Sequence, residues 1–171
     1  GFFRSQIGST ALSPASLTSW QHYALTFHQS GSTFNTRLYV NGVENDLNTS
    51  GGTTINEITG NINAYIGALK TTPSGNFYHG KTMTGYGKLS ASLDEFRFWK
   101  TRRNSRQINL NWYHPVGGGS NTDDSTTDLT VYYKFNEGIT GTSSTDSSVL
   151  DYSGRIANGT WTGYPGSAAR N

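Results

Sequence analysis

Carboxylates are the residues of this chain that could do hydrolytic chemistry, and their spacing decides whether they can. Cleavage of a glycosidic bond needs two acids on one face, about 5 Å apart for a nucleophile and its general acid. The sequence has one Glu-x-Asp pattern, Glu44-Asn45-Asp46, just after a turn, where solvated acids are the ordinary expectation. Asp94 and Glu95 are adjacent, so a strand would place them on opposite faces. We therefore predict that the protein is not an enzyme.

Histidine and cysteine chemistry is equally limited. The chain has no cysteine to supply a thiolate. Its histidines show neither metal-ligand spacing nor a paired nucleophile; they are His22, His28, His79 and His114. The sequence therefore predicts neither a shared zinc site nor a catalytic triad.

Sugar binding is the chemistry that the aromatic residues permit, because aromatic faces stack on sugar rings while polar groups bind the hydroxyls. The chain has 10 Tyr and 4 Trp. A Gly-rich loop predicted over residues 71–87 contains the candidate carbohydrate-binding residues Phe77, Tyr78, His79 and Tyr86. Aromatic residues also fill cores, and we expect that role for Trp20, Trp99 and Trp112. For Tyr78 and Tyr86, a sugar site and a protein contact are both open.

Composition restricts the classes of partner. Only 14% of the residues are charged and 33% are hydrophobic, so uncharged Ser, Thr, Asn and Gly must form much of the surface, as is typical of all-β extracellular or particle-surface proteins. The net charge of +2 includes no basic run longer than Arg102-Arg103, which we interpret as a solvated strand end. We therefore expect no nucleic acid as a partner. No window has the length of a transmembrane helix, so we expect no membrane insertion.

Short alternating runs predict the elements that position these residues. Asn41-Gly42 is the strongest hairpin signal, because a type I′ turn needs positive φ at both central residues. Asn104 can cap a short helix that carries Ile108 and Trp112 on one face. The run over 129–135 predicts these inward residues: Leu129, Val131, Tyr133 and Phe135. We predict an all-β fold, an antiparallel β-sandwich (jelly roll) with one short helix.

The run over residues 93–99 is dense in aromatic residues and breaks its own alternation. Phe96 and Phe98 share one face of a strand, whereas Leu93 is apolar on the opposite parity. We therefore expect a bulge or a strand start near Asp94, whose carboxylate would bind backbone amides or a metal.

A set of short segments follows in this chain order: WQHYALTF at 20–27, LYVNGV at 38–43, YIG at 65–67, and LDEFRFW at 93–99 with Gln107-Ile108. Together they resemble the laminin-G-like domains of the concanavalin A-like lectin and glucanase superfamily. A second set is similar to the opening part of such a domain: VYYKFNEG at 131–138, LDYSG at 150–154 and GTW at 159–161. The resemblance implies a concanavalin A-like sandwich.

The order of the two sets, back half first and front half second, leaves two organisations open. The chain is either cut from a tandem array, which the missing initiator Met favours, or closed into a permuted domain by pairing of 129–135 with 96–99. We expect a laminin-G-like sandwich without its opening strands over 1–116, a Gly- and Asp-rich linker over 117–128, and the opening part of a second or permuted unit over 129–171.

Calcium is the cofactor that the resemblance implies, because such domains often hold it at one edge with Asp and carbonyl oxygens. The candidate ligands are Asp94, Asp46 and Asp151. The resemblance further implies an extracellular surface or virion location, including bacteriophage tail, fibre and capsid-decorating proteins, and an oligomeric state set by a larger assembly.

Two functions follow from this resemblance. One is adhesion through binding of surface glycans. The other is structural decoration or assembly through contacts with other virion or surface protein chains. A divergent glycoside hydrolase is the enzymatic alternative.

Overall fold

The structure is a computed structural model that describes residues 7–9, 18–52, 54–55, 64–67, 89, 91–117, 126–137 and 147–161. The chain divides into two compact units, one of Gly1–Ile55 with Asp94–Asn171 and one of Asn56–Leu93. The helices and strands among the described residues all belong to the first unit. They are β1 (Tyr23–Ser30), β2 (Thr33–Val40), β3 (Val43–Ser50), β4 (Phe96–Trp99), α1 (Ser105–Asn111), β5 (Leu129–Tyr133), β6 (Ser148–Val149) and β7 (Gly159–Thr160).

In the second unit, the described backbone includes a hydrogen bond from Leu89 N to Gly67 O, 2.6 Å long.

In the part of the chain that the structure describes, we find no helix with the length and apolar character needed to cross a membrane.

The first sheet is an antiparallel meander in the order β1-β2-β3. Asn41 and Gly42 join β2 to β3 with φ values of 49° and 80°, so the predicted hairpin is confirmed, with positive φ at both central residues. Asn45 forms a bulge, because Tyr39 faces Glu44 while the preceding residue, Leu38, faces Asp46. The bulge changes the side-chain direction in the part of β3 that carries Glu44 and Asp46.

The two faces of this sheet differ in burial. Tyr39 and Thr26 belong to one face and are buried. The opposite face carries Tyr23, Leu25 and Phe27, which are between 40% and 54% exposed. The apolar side chains of β1 thus alternate with the buried ones, and they lie on its more accessible face.

A second antiparallel sheet pairs β4 with β5. This is the pairing that a permuted domain requires, while the domain boundaries themselves stay a prediction. The inward set predicted for β5 is wrong in part, because the structure buries Leu129 and Tyr132, at 1% and 0% exposure. Val131, Tyr133 and Phe135 are only half-buried.

The cause of that error is a bulge in β5. Trp99 faces Leu129 while Phe98 faces Val131, so Thr130 is an extra residue. One extra residue shifts the alternation, and Tyr132 reaches the same core as Leu129. Val116 completes this core, with Trp99 and Tyr152 packed against it.

Helix α1 begins with the cap that the sequence predicted. Gln107 N donates to Asn104 Oδ1 at 2.9 Å, and Asn104 N donates to Gln107 Oε1 at 3.0 Å, which forms a capping box. Ile108 is buried and Trp112 follows as the C-cap.

The tryptophans divide between the core and the surface. Trp99 packs against the core and Trp112 is half-buried, whereas Trp20 is 70% exposed and its predicted core position is wrong. The all-β class is confirmed, since antiparallel sheets and one short helix make up the described fold, consistent with a concanavalin A-like β-sandwich.

Candidate functional site

The four carbohydrate-binding candidates of the predicted loop lie outside the described residues. They are Phe77, Tyr78, His79 and Tyr86. Their assignment stays a prediction.

Asp94 lies at a strand start, as predicted. Strand β4 begins two residues later at Phe96, and Glu95 between them has a φ of 54° in the left-handed region. Asp94 Oδ1 accepts a hydrogen bond from Glu95 N at 2.9 Å. The carboxylate therefore binds a backbone amide at the phase change, on the exposed surface.

Asp46 connects the start of the chain to β3. Its Oδ2 accepts from Gly8 N at 2.7 Å and its Oδ1 from Leu47 N at 2.8 Å. The neighbouring Asn45 accepts from Ser9 N through Oδ1 at 2.9 Å. These side chains hold residues 8–9 beside the bulge of β3.

Asp151 organises the loop between β6 and β7. Its Oδ1 accepts from the amides of Tyr132 and Ser153, both at 2.9 Å. Its Oδ2 accepts from Ser153 Oγ at 2.7 Å and from Ala157 N at 2.9 Å. Burial works to raise the pKa of Asp151, but the hydrogen bonds from Ala157, Ser153 and Tyr132 outweigh it and lower the pKa.

No cluster of three or more His, Cys, Asp or Glu side chains suited to a metal ion occurs within the described part of the chain. Asp94, Asp46 and Asp151 each bind amides of this chain. A role for any of them in binding Ca²⁺ stays a prediction.

Two of the acids weighed as catalytic groups, Glu44 and Glu95, have basic partners. Glu44 Oε1 lies 2.5 Å from Arg37 Nη1. Glu95 Oε2 accepts from Arg97 Nη2 at 2.7 Å and from the Tyr132 hydroxyl at 2.5 Å. Burial and the bond to Glu95 raise the pKa of Tyr132 to about 12. Glu44 and Glu95 are therefore each held in an ion pair with an arginine of this chain.

An aromatic cluster forms where the end of α1 meets the β2–β3 turn. We call it the Trp112 cluster and define it as His22, Trp112, Tyr113 and His114. The ring centroids of Trp112 lie 6.0 Å from His22 and 5.3 Å from Tyr113, and Tyr113 lies 4.0 Å from His114. Tyr113 is 59% exposed. The cluster thus offers an aromatic surface to solvent.

Polar side chains border this cluster. Asn41 Oδ1 accepts from His22 N at 2.9 Å, and Asn41 Nδ2 donates to Gln21 Oε1 at 2.7 Å. A Cβ added at Gly42 would overlap the Trp112 ring, so the turn lies directly against the indole. The Asn-Gly turn therefore both closes the hairpin and positions the cluster.

Arg97 binds backbone carbonyl groups at the end of α1 and within the Trp112 cluster. Its guanidinium donates to Asn111 O at 3.1 Å and to His114 O at 2.7 Å. Burial, with a smaller contribution from the Arg97 charge, lowers the pKa of His22. The imidazole is consequently neutral at pH 7, and it keeps one nitrogen as an acceptor and one as a donor.

A second candidate site lies at the other end of α1. We call it the Arg102 cleft. It has a volume of about 250 Å³ and is lined by Thr26, Arg37, Tyr39, Arg102, Arg103, Asn104 and Ser105. From the sequence, Arg102-Arg103 is interpreted as a solvated strand end. Nothing in the sequence connects these residues with Arg37, because only the folded sheet brings that residue of β2 to the start of the helix.

The sequence also missed the Trp112 cluster. The available signal was the aromatic run Trp112-Tyr113-His114 directly after a capped helix. From the sequence, only Trp112 has a predicted role, which is packing on the apolar face of α1.

Comparison with known proteins places the chain in a family. The model of a laminin G family, described as concanavalin A-like lectin/glucanases superfamily, matches residues 4–109, which is more than half of the chain. No curated protein and no solved structure matches it. The matched region spans β1 to β4 and most of α1, and the antiparallel fold agrees with the match. The chain therefore belongs to the concanavalin A-like lectin/glucanase superfamily.

Proposed function

We propose that this chain is a non-catalytic carbohydrate-binding module that serves adhesion in a larger cell-surface or virion protein. The observation that carries the proposal is the Trp112 cluster. An exposed tyrosine ring lies there beside a half-buried indole, two imidazoles and the side-chain amides of Gln21 and Asn41. Membership of a superfamily that includes lectins supports the same function.

The cluster has the parts that sugar recognition uses. Tyr113 supplies an exposed ring face for stacking, and its hydroxyl can exchange hydrogen bonds with sugar hydroxyls. The ring is held by contacts with Trp112 and His114, so little conformational entropy is lost when a ligand binds. The bordering side-chain amides of Gln21 and Asn41 can both donate and accept, which suits neutral hydroxyl groups.

A surface or virion location, including a bacteriophage particle, is part of this proposal. A chain with 14% charged residues and many Ser, Thr, Asn and Gly presents a polar, weakly charged surface. Partners in this setting are surface glycans and neighbouring chains of the assembly. Calcium belongs to the proposal as a candidate cofactor, and the experiment tests it directly.

A non-catalytic role is favoured by the partners of the acids. Glu95 binds Arg97 and Tyr132, and Glu44 binds Arg37. A glycosidase requires one acid that stays protonated near neutral pH. In both cases an arginine already binds the carboxylate.

The test is a glycan array on the full chain, run with calcium and again with a chelator. Tyr113→Ala removes the exposed ring of the cluster, and Tyr65→Ala is the matched control, since Tyr65 is similarly exposed at 51% but belongs to the other compact unit. We expect Tyr113→Ala to abolish binding that Tyr65→Ala retains. A double variant, Tyr78→Ala with Tyr86→Ala, tests the loop predicted from the sequence.

The outcomes separate the possibilities. Loss of binding only in the Tyr78 and Tyr86 double variant would move the site to that loop, and loss with chelator would establish a cation requirement. A wild-type chain that is folded by circular dichroism but binds no glycan under either condition would contradict the proposed function for those glycans.

Structural assembly is the second candidate, and one observation favours it. The accessible face of the first sheet carries Tyr23, Leu25 and Phe27, whose side chains are between 40% and 54% exposed on one strand. A module that decorates a larger particle would bury this face against another protein chain. The test compares the sedimentation of the wild-type chain with that of the Leu25→Ser variant. A complex between chains that only the wild type forms would favour assembly.

A further inference from the structure

The Asn41-Gly42 pair has a covalent chemistry of its own. In an Asn-Gly pair, the glycine nitrogen can attack the side-chain carbonyl carbon of the asparagine, because glycine has no side chain to hinder the approach. The new C–N bond closes a succinimide ring, and the side-chain nitrogen leaves as ammonia with the proton of the glycine amide. Water then opens the ring at either carbonyl, which gives aspartate or isoaspartate. The chain has one other such pair, Asn158-Gly159.

The fold binds the Asn41 side chain at both of its polar atoms. Oδ1 accepts from His22 N at 2.9 Å, and Nδ2 donates to Gln21 Oε1 at 2.7 Å. The Asn41 amide also donates to His22 O at 2.9 Å, so three hydrogen bonds fix this residue to the two residues before β1. Rotation of the side chain toward the Gly42 nitrogen would move both polar atoms. Two of these bonds must therefore break before the ring can close.

The turn itself also hinders ring closure. Asn41 and Gly42 have positive φ values of 49° and 80°, as a type I′ turn requires. The pairing of Val40 with Val43 closes the ladder directly beside them. Gly42 is buried, and a Cβ at this position would overlap the Trp112 ring. Attack by the Gly42 nitrogen therefore needs the hairpin and its contact with the indole to open first.

We propose that Asn41 is a deamidation site that the folded hairpin protects, and that its conversion disrupts the Trp112 cluster. Aspartate at this position keeps an acceptor for His22 N, but it has no donor for Gln21 Oε1 and it adds a negative charge. Isoaspartate adds a methylene group to the main chain of a two-residue turn, so Gly42 no longer fits against Trp112. Where the inference concerns ligand binding, it rests on the proposed function, since it names a modification that inactivates that site.

The first measurement compares deamidation in the folded and unfolded chain. The full chain is incubated in mildly alkaline buffer with and without urea, and peptide mapping by mass spectrometry follows both Asn-Gly pairs. We expect Asn41 to convert roughly tenfold or more slowly in the folded chain, because two side-chain hydrogen bonds and the turn must open first. In urea, Asn41 and Asn158 should convert at similar rates. Equal rates for Asn41 in the two states would overturn the inference.

Matched variants identify the protecting contact. Gln21→Ala removes the acceptor of Asn41 Nδ2, whereas Gln29→Ala removes a glutamine that binds Gly31 O at the other turn of the sheet. We expect Gln21→Ala to speed conversion of Asn41 several-fold and to leave Asn158 unchanged. Gln21→Glu keeps an acceptor and should restore the slow rate, and Gln29→Ala should behave like the wild type. An unchanged rate at Asn41 in Gln21→Ala, or equal acceleration of both pairs, would overturn the assigned protection.

The second measurement tests the consequence for the cluster. Ion exchange separates converted chains by their added negative charge, and nuclear magnetic resonance of the ¹⁵N-labelled chain follows the indole N–H of Trp112. We expect this signal to shift in the fraction converted at Asn41 and to stay in the fraction converted at Asn158, whose side chain binds Asp151 N in the loop before β7. An unshifted indole signal in the Asn41 fraction would overturn the proposed disruption.

Failure of the proposed function is distinguishable. Slow conversion of Asn41 in the folded chain and a shifted Trp112 signal, together with an empty glycan array, would overturn only the proposed function. Glycan binding that depends on Tyr113, together with equal conversion of Asn41 in the folded and unfolded chain, would overturn only this inference.

Discussion

Asp151 accepts more hydrogen bonds than any other carboxylate described above. It accepts hydrogen bonds from three backbone amides and one hydroxyl, and these connect β5 with the loop before β7. Asp94 is the natural contrast, since it accepts from the amide of its own neighbour on the exposed surface. The sequence ranked both as metal ligands, because it shows that an acid lies near a turn but not how many donors surround it.

Replacement of Asp151 by Ala should destabilise the fold by about 2 to 3 kcal/mol, because part-buried donors lose their acceptor. Asp94→Ala should cost less than about 1 kcal/mol. Urea unfolding at pH 7 measures both free energies. The lowered pKa of Asp151 means that its contribution is present above pH 3.8 and is lost as the pH falls further. Equal effects of the two substitutions would contradict the structural role of Asp151.

His22 should make stability depend on pH just below neutrality. Its pKa is lowered in the folded state, chiefly by burial and then by the charge of Arg97. The unfolded chain therefore takes up a proton first as the pH falls below 6.5, and the free energy of unfolding decreases. The slope for one proton is at most about 1.4 kcal/mol per pH unit.

The measurement for His22 is urea unfolding of the wild type and His22→Gln between pH 7.5 and 5.5. The wild type should lose stability relative to the variant over this range. Parallel curves for the two proteins would show that His22 does not titrate differently on folding.

Tyr132 should resist ionisation in the folded protein. Burial and its hydrogen bond to Glu95 raise its pKa to about 12. Its contribution to stability is therefore complete below pH 10 and is lost as the pH rises toward 12. Absorbance of tyrosinate measured during an alkaline titration should show a late-titrating tyrosine that is missing in Tyr132→Phe. An identical titration curve per tyrosine in the two proteins would contradict this assignment.

At the scale of elements, the β2–β3 turn and the end of α1 depend on one glycine. Gly42 has a φ of 80°, and a side chain there would overlap the Trp112 ring. Gly31, in the turn between β1 and β2, has a φ of 57° with nothing near its missing side chain. The two glycines thus share a backbone requirement and differ in packing.

Gly42→Ala should therefore cost more than Gly31→Ala. Each substitution adds roughly 1 to 2 kcal/mol of left-handed backbone strain. At Gly42 the overlap with Trp112 adds about 1 to 3 kcal/mol. Thermal or urea unfolding gives the difference, and tryptophan fluorescence should change in Gly42→Ala alone. Equal losses of stability would show that Trp112 moves aside freely.

Local chemistry explains which elements the sequence could predict. The Asn41-Gly42 turn and the Asn104 capping box depend on neighbours within a few residues, and both predictions are confirmed. The bulge at Thr130 depends on a partner strand, so strict alternation put Tyr133 inward where the fold buries Tyr132. Trp20 was expected in the core because aromatic residues often fill cores, yet no local pattern fixes the burial of a residue before a strand.

At the scale of the whole molecule, the candidate sites form from distant parts of the chain. The Arg102 cleft combines β1 and β2 with the start of α1, and the Trp112 cluster combines the turn after β2 with the end of α1. The sequence predicted each element separately. It could not predict which residues of the sheet meet the helix, since that depends on the packing of α1 against the face with Tyr39.

The pairing of β4 with β5 gives the last prediction, which concerns the permuted domain. Leu129 and Tyr132 are almost fully buried, and each large buried side chain contributes about 1.5 to 3 kcal/mol. Lys100 and Asp128 add an ion pair of 3.1 Å, and Tyr132 binds Glu95.

A protease site inserted between Gly119 and Ser120 should therefore give two fragments that stay associated after cleavage. They should elute together in gel filtration and unfold in one transition, whereas the Tyr132→Ala chain, once cleaved, should separate. Wild-type fragments that separate at micromolar concentration, with the first still folded by circular dichroism, would instead support independent units in a tandem array.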